Sequence, residues 1–131
     1  MGLRLPYTVS IAPSAARTAS YTGSAIANTD GFPGLRVFID VTDSADTPSV
    51  TFSIQIPDPL GGDWTSILTS AAQTGAITSP VVLTVAPGVA SVANVSLPSY
   101  IGRKFRLIST AADADSLTWS AVGEWLGAIG A

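Results

Sequence analysis

The chain has 131 residues, 47% of them hydrophobic and only 11% charged, with a formal net charge of −3. That length suits one domain with one core, and the excess of apolar over charged residues excludes a disordered chain. The acidic balance argues against nucleic acid as the main ligand, and the lack of His and Cys removes a Ser-His-Asp triad, a Cys nucleophile, disulfides and thiolate or imidazole metal sites.

Residues 1–16 read as an extended N-terminal arm, because Pro6 and Pro13 disfavour regular structure. A signal peptide is the less favoured reading, since Pro6, Thr8 and Ser10 break the apolar run. No apolar run approaches the ~20 residues of a membrane span. Thr18–Gly23 is the first strand candidate. In "LRVFIDV", Leu35, Val37, Ile39 and Val41 share one face and Arg36, Phe38 and Asp40 the other. "VTFSIQI" alternates cleanly, with Val50, Phe52, Ile54 and Ile56 opposite Thr51, Ser53 and Gln55. Such alternation predicts one buried face and one wet or interface face. Trp64–Thr69, Val81–Val85, Asn94–Leu97, Lys104–Ser109 and Leu117–Val122 complete the strand candidates. The best helix candidate, Ser66–Thr74, lacks a cap at either end.

Segments rich in Pro, Gly, Asp and Ser separate these runs, such as "DSADTPS", "DPLGGD" and "TAADADS". About eight short strands spaced by turns predict an all-β chain, an antiparallel β-sandwich of immunoglobulin-like or jelly-roll type. The expected division is an arm at 1–16, a sandwich at 17–122 and an apolar tail at 123–131. Trp125, Leu126 and Ile129 in that tail, and Leu3, Leu5 and Tyr7 in the arm, are costly to leave in water and become candidate partner contacts. A surface built on Ser and Thr rather than on charges suits a protein packed against neighbours.

The loop "QIPDPLGGDWTSIL" gathers Asp58, Asp63, two glycines and Trp64. It can be read as a Ca²⁺ site built from hard oxygen ligands, as a sugar platform on Trp64, or as a hairpin with Trp64 packing inward beside Ser66 and Leu68. The hairpin is the simplest reading. Asp113 and Asp115, like Asp43 and Asp46, lack the pattern of a Ca²⁺-binding loop and read as turns. The run Arg103-Lys104-Phe105-Arg106 holds half of the six basic residues. With Phe105 and Leu107 facing the core, Lys104 and Arg106 face outward together, as a salt-bridge patch for an acidic neighbour or as a solvated face. No catalytic residue, metal ligand or cofactor motif is expected: there is no P-loop, G-x-S-x-G or G-x-G-x-x-G, and the acids sit in turns, apart from Asp40 and Glu124.

Five segments occur in a familiar order: "SAARTASYTGS" (14–24), "VFIDVTDSADTPSVTFSIQIPDPLGGDWTSILTSAAQTG" (37–75), "LTVAPGV" (83–89), "LPSYIGRKFRL" (97–107) and "ADADSLTWSAVG" (112–123). Over these, the chain resembles a family of small virion proteins of tailed bacteriophages. The resemblance implies a non-enzymatic β-sandwich without cofactors, made in the host cytoplasm and carried in the particle. Within that family a capsid decoration (cement) protein on the outer capsid surface is the favoured role. Its partners would be the major capsid protein and other copies of itself in a trimer or other ring, with no nucleic acid or membrane. The alternatives are a neck or tail component, or a carbohydrate- or host-surface-binding module using Trp64.

Overall fold

A computed structural model describes residues 7–60 and 62–127. It is all-β: β1 (Tyr7–Arg17), β2 (Tyr21–Thr22), β3 (Ile26–Ala27), β4 (Gly34–Ser44), β5 (Val50–Pro57), β6 (Trp64–Thr69), β7 (Val81–Val85), β8 (Ser96–Leu97), β9 (Lys104–Ala111) and β10 (Leu117–Leu126). The first sheet has the order β1-β10-β4-β7-β8; the second has β2-β9-β5-β6, with β3 also on β9. Pairing is antiparallel except between β7 and β8. The two sheets pack as a sandwich.

Alternation decides which side chains meet between the sheets. Leu35, Val37, Ile39 and Val41 of β4 face Phe52 and Ile54 of β5 and Phe105 and Leu107 of β9 across one core, all essentially inaccessible to water. Two tryptophans of β10 anchor it. Trp119 meets Phe52 edge-on at 4.8 Å and Tyr21 at 5.6 Å; Trp125 meets Phe105 edge-on at 5.4 Å and stacks on Phe32 at 5.9 Å. Such pairs add to the burial of the rings themselves. Gly123 lies between the tryptophans on the same inward face, where a Cβ would come within 3.0 Å of Val9 and 3.1 Å of Ile11. The missing side chain lets β1 close down on β10.

The expected boundaries move at both ends. Positions 7–16 are not a free arm but most of β1, in register with β10 from Tyr7↔Trp125 to Arg17↔Leu117. Pro13 is tolerated because it falls on an edge strand, inside the register shift between Ala12 and Ala15, where its missing N–H is not needed. Arg17 covers that edge: its guanidinium donates to the carbonyls of Pro13 (2.7 Å) and Trp119 (2.8 Å) and lies 4.0 Å over the Trp119 ring. Burial lowers its pKa from the ordinary arginine value, partly offset by Tyr21. Likewise 123–126 extends β10 rather than starting a tail. Residues 1–6 and 128–131 lie outside the described residues. The helix suggested for Ser66–Thr74 does not form; its first part, to Thr69, lies in β6.

Candidate functional site

Three features stand out on the molecule's surface. The first is a basic shelf on the outer face of the second sheet. Strand register builds it: Arg106 of β9 pairs with Gln55 of β5, and Gln55 with Ser66 of β6. Arg106 Nε donates to Gln55 Oε1 at 2.8 Å, and Gln55 Nε2 donates to Ser66 Oγ at 3.0 Å. The Trp64 ring lies beside this row, with the Arg106 guanidinium 4.5 Å and the Lys104 ammonium 5.8 Å from its centroid. Lys104 and Arg106 face outward together, as the alternation predicts, with Phe105 and Leu107 buried.

Trp64 itself is not where the sequence placed it. Strict alternation groups it with Ser66 and the inward Leu68. A register shift between the Ile54 and Gln55 pairs inserts an extra residue, Ile67, into β6. That bulge inverts the phase, so Leu68 is buried while Ser66 and Trp64 turn outward. The half-buried ring has the Arg106 guanidinium over it and the Lys104 ammonium near it.

Among the described residues the only ion pair is Arg36–Glu124, at 3.1 Å on the outer face of the first sheet. Arg103, Lys104 and Arg106 therefore have no carboxylate within 4.0 Å among the described residues, although Arg106 is held by Gln55. The shelf is a fixed positive patch on an acidic chain.

The second feature is the hairpin joining β5 to β6. Asp58 N–H donates to the Asp63 carbonyl (2.6 Å), Gly62 N–H to the Asp58 carbonyl (2.8 Å) and Leu60 N–H to Asp58 Oδ1 (3.1 Å). Gly62 takes the positive φ of 76° that the turn requires; Gly61 lies outside the described residues. These bonds lift Leu60 to the tip, where it is 97% exposed. A cleft of about 800 Å³ separates the tip from the segment carrying Ile101, Arg103 and Lys104.

The third feature is a mostly apolar groove of about 960 Å³ at the same end of the sandwich, on the first-sheet side. Pro33, Ala86, Pro87, Val89, Tyr100 and Leu126 line it. Tyr100 is 67% exposed.

The expected partner contacts divide accordingly. Lys104 and Arg106 are on the shelf, and Leu126 is half-buried at the groove wall. Trp125 is a correction: it is only 7% exposed, because its strand position points it between the sheets onto Phe32 and Phe105. The Tyr7 backbone pairs with Trp125. Leu3, Leu5 and Ile129 lie outside the described residues. Among the described residues no three carboxylates are arranged to hold a metal ion. Asp113 and Asp115 do form a turn, with Asp115 N–H donating to Asp113 Oδ1 at 3.0 Å. The groove was not foreseen, because its walls come from loops far apart in the chain.

No protein-family model matches this chain, and no curated protein matches it.

Proposed function

We propose that this chain is a non-enzymatic structural protein of a tailed-bacteriophage particle, a capsid decoration protein seated on the outer surface of the major capsid protein lattice. The observation that carries the reading is the shelf of Trp64, Lys104 and Arg106, whose cations lack a carboxylate of their own among the described residues. Held in place by Gln55 and the indole ring, they are arranged in advance for carboxylates on a neighbour, which lowers the ordering cost of docking. The resemblance of residues 14–123 to small virion proteins supplies the setting. Many copies on a lattice need only modest affinity per contact.

The test is binding of the purified protein to phage heads that lack it, read by co-sedimentation. Saturable binding that weakens with salt is expected, and Lys104→Glu with Arg106→Glu should reduce it at least about tenfold. Binding by the double variant equal to the wild type would remove the shelf from the account. Label found on necks or tails rather than heads in negative-stain images would relocate the protein.

A further inference from the structure

Asp30–Gly31 is the one place in the chain where glycine follows an acidic residue, and the fold leaves both residues exposed at a turn. We infer that this bond is a site of spontaneous covalent modification: Asp30 rearranges to isoaspartate, which lengthens by one main-chain carbon the loop that seats Phe32 in the core.

The chemistry needs water and no other reagent. The Gly31 nitrogen attacks Cγ of the Asp30 carboxylic acid, and the new N–Cγ bond closes a five-membered succinimide. The proton lost by the nitrogen and the hydroxyl lost by the acid leave together as water. A second water then opens the ring. Addition at Cγ returns aspartate. Addition at the Asp30 main-chain carbonyl carbon breaks its bond to the Gly31 nitrogen, so the chain runs on through Cβ and Cγ and a free α-carboxylate remains. The nitrogen must reach Cγ past its own residue, and glycine alone has no Cβ in the way.

The surroundings select Asp30 over the other aspartates. Its carboxylate accepts no hydrogen bond and joins no ion pair among the described residues. The Gly31 N–H donates to the Asn28 carbonyl at 3.3 Å, longer than the ~2.9 Å of a typical N–H···O bond, so the nucleophile is lightly held. Among the described residues no heavy atom beyond its chain neighbours lies within 4 Å of where a Gly31 Cβ would stand, which leaves room for the ring. Asp43 and Asp115 are each followed by a small residue too, a serine, but both are engaged. Asp43 Oδ1 accepts from the Ser44 N–H at 2.8 Å, and both residues are paired in β4. Asp115 Oδ2 accepts from Thr47 N–H and Thr47 Oγ1.

The rearrangement has a structural consequence because the turn is closed on both sides. Asn28 Oδ1 accepts from the Phe32 N–H at 2.9 Å, and Asn28 Nδ2 donates to the Phe32 and Gly102 carbonyls, each at 2.8 Å. The Asn28 N–H in turn donates to the Arg103 carbonyl at 2.7 Å, and the Ile101 N–H to the Pro33 carbonyl at 3.1 Å. An added carbon between Asn28 and Phe32 cannot be taken up without releasing part of this clamp. Phe32, only 6% exposed and stacked on Trp125, is the core residue that the clamp positions.

Peptide mapping of the full chain after prolonged incubation at neutral pH tests this. Tryptic cleavage after Arg17 and Arg36 isolates Asp30 from every other aspartate in the peptide 18–36. That peptide should split into two chromatographic peaks of equal mass, the new one a substrate for isoaspartate methyl transfer. Conversion should run at least about fivefold ahead of the peptides carrying Asp43 and Asp115, because releasing one hydrogen bond first slows a reaction by about that factor. Asp30→Glu keeps the charge but would have to close a six-membered ring, so its peptide should stay a single peak. The melting temperature of the wild type should fall as the second peak grows, while that of equally aged Asp30→Glu holds. A wild-type peptide 18–36 that stays single, one that converts no sooner than the other two, or a converted protein that melts as before would overturn the inference.

Discussion

The two ends of the sandwich are built differently. At one, the turns after β4 and β9 are tied to each other, Pro48 is buried, and Arg17 lies over Tyr21 and Trp119. At the other, Leu60 and Tyr100 stand in solvent beside open grooves. The closed end ties two loops together by hydrogen bonds, whereas the open end holds large apolar and aromatic side chains in solvent. Substitutions at the two ends should therefore differ in kind.

The largest effect is expected at the closed end. Trp119→Ala removes the ring that joins Phe52, Tyr21 and Arg17, and should cost about 3–5 kcal/mol in denaturant unfolding followed by circular dichroism. A cost below about 1 kcal/mol would erase the distinction between the ends. Arg17→Met keeps much of the packing but removes the carbonyl and ring contacts, so about 1–3 kcal/mol should be lost. Trp64→Ala, on the shelf near the open end, should cost about 1 kcal/mol and leave the chain folded. Unfolding by Trp64→Ala would instead make that ring part of the core. Leu60→Asn should move the stability of the monomer by no more than about 0.5 kcal/mol, and a larger loss would mean that the tip packs on its own subunit.

Much of the fold was legible because alternation reports burial directly. β4, β5, β7, β9 and most of β10 read off as strands, and the outward pairing of Lys104 with Arg106 followed from Phe105 and Leu107. β1 was missed because Pro6 and Pro13 are ordinarily strand breakers, and whether a proline falls on an edge depends on which strand lies alongside. The extension of β10 had a readable signal: Leu117, Trp119, Ala121, Gly123 and Trp125 keep strict period two, but the glycine masks it. The outward turn of Trp64 had none, since a bulge changes the phase of a strand without a characteristic residue. Tertiary pairing decides it.

The position of β10 between β1 and β4 governs the order in which the molecule can be assembled. During synthesis β1 emerges first, but its only partner in the sheet is the last strand in chain order, so its backbone groups wait in water until nearly all the described chain has left the ribosome. Because the pairing with the greatest sequence separation must close last, folding should be slow for a domain of this size. Until then β4 offers an unpaired edge along most of its length, and the nascent chain is open to association with its neighbours on the same message.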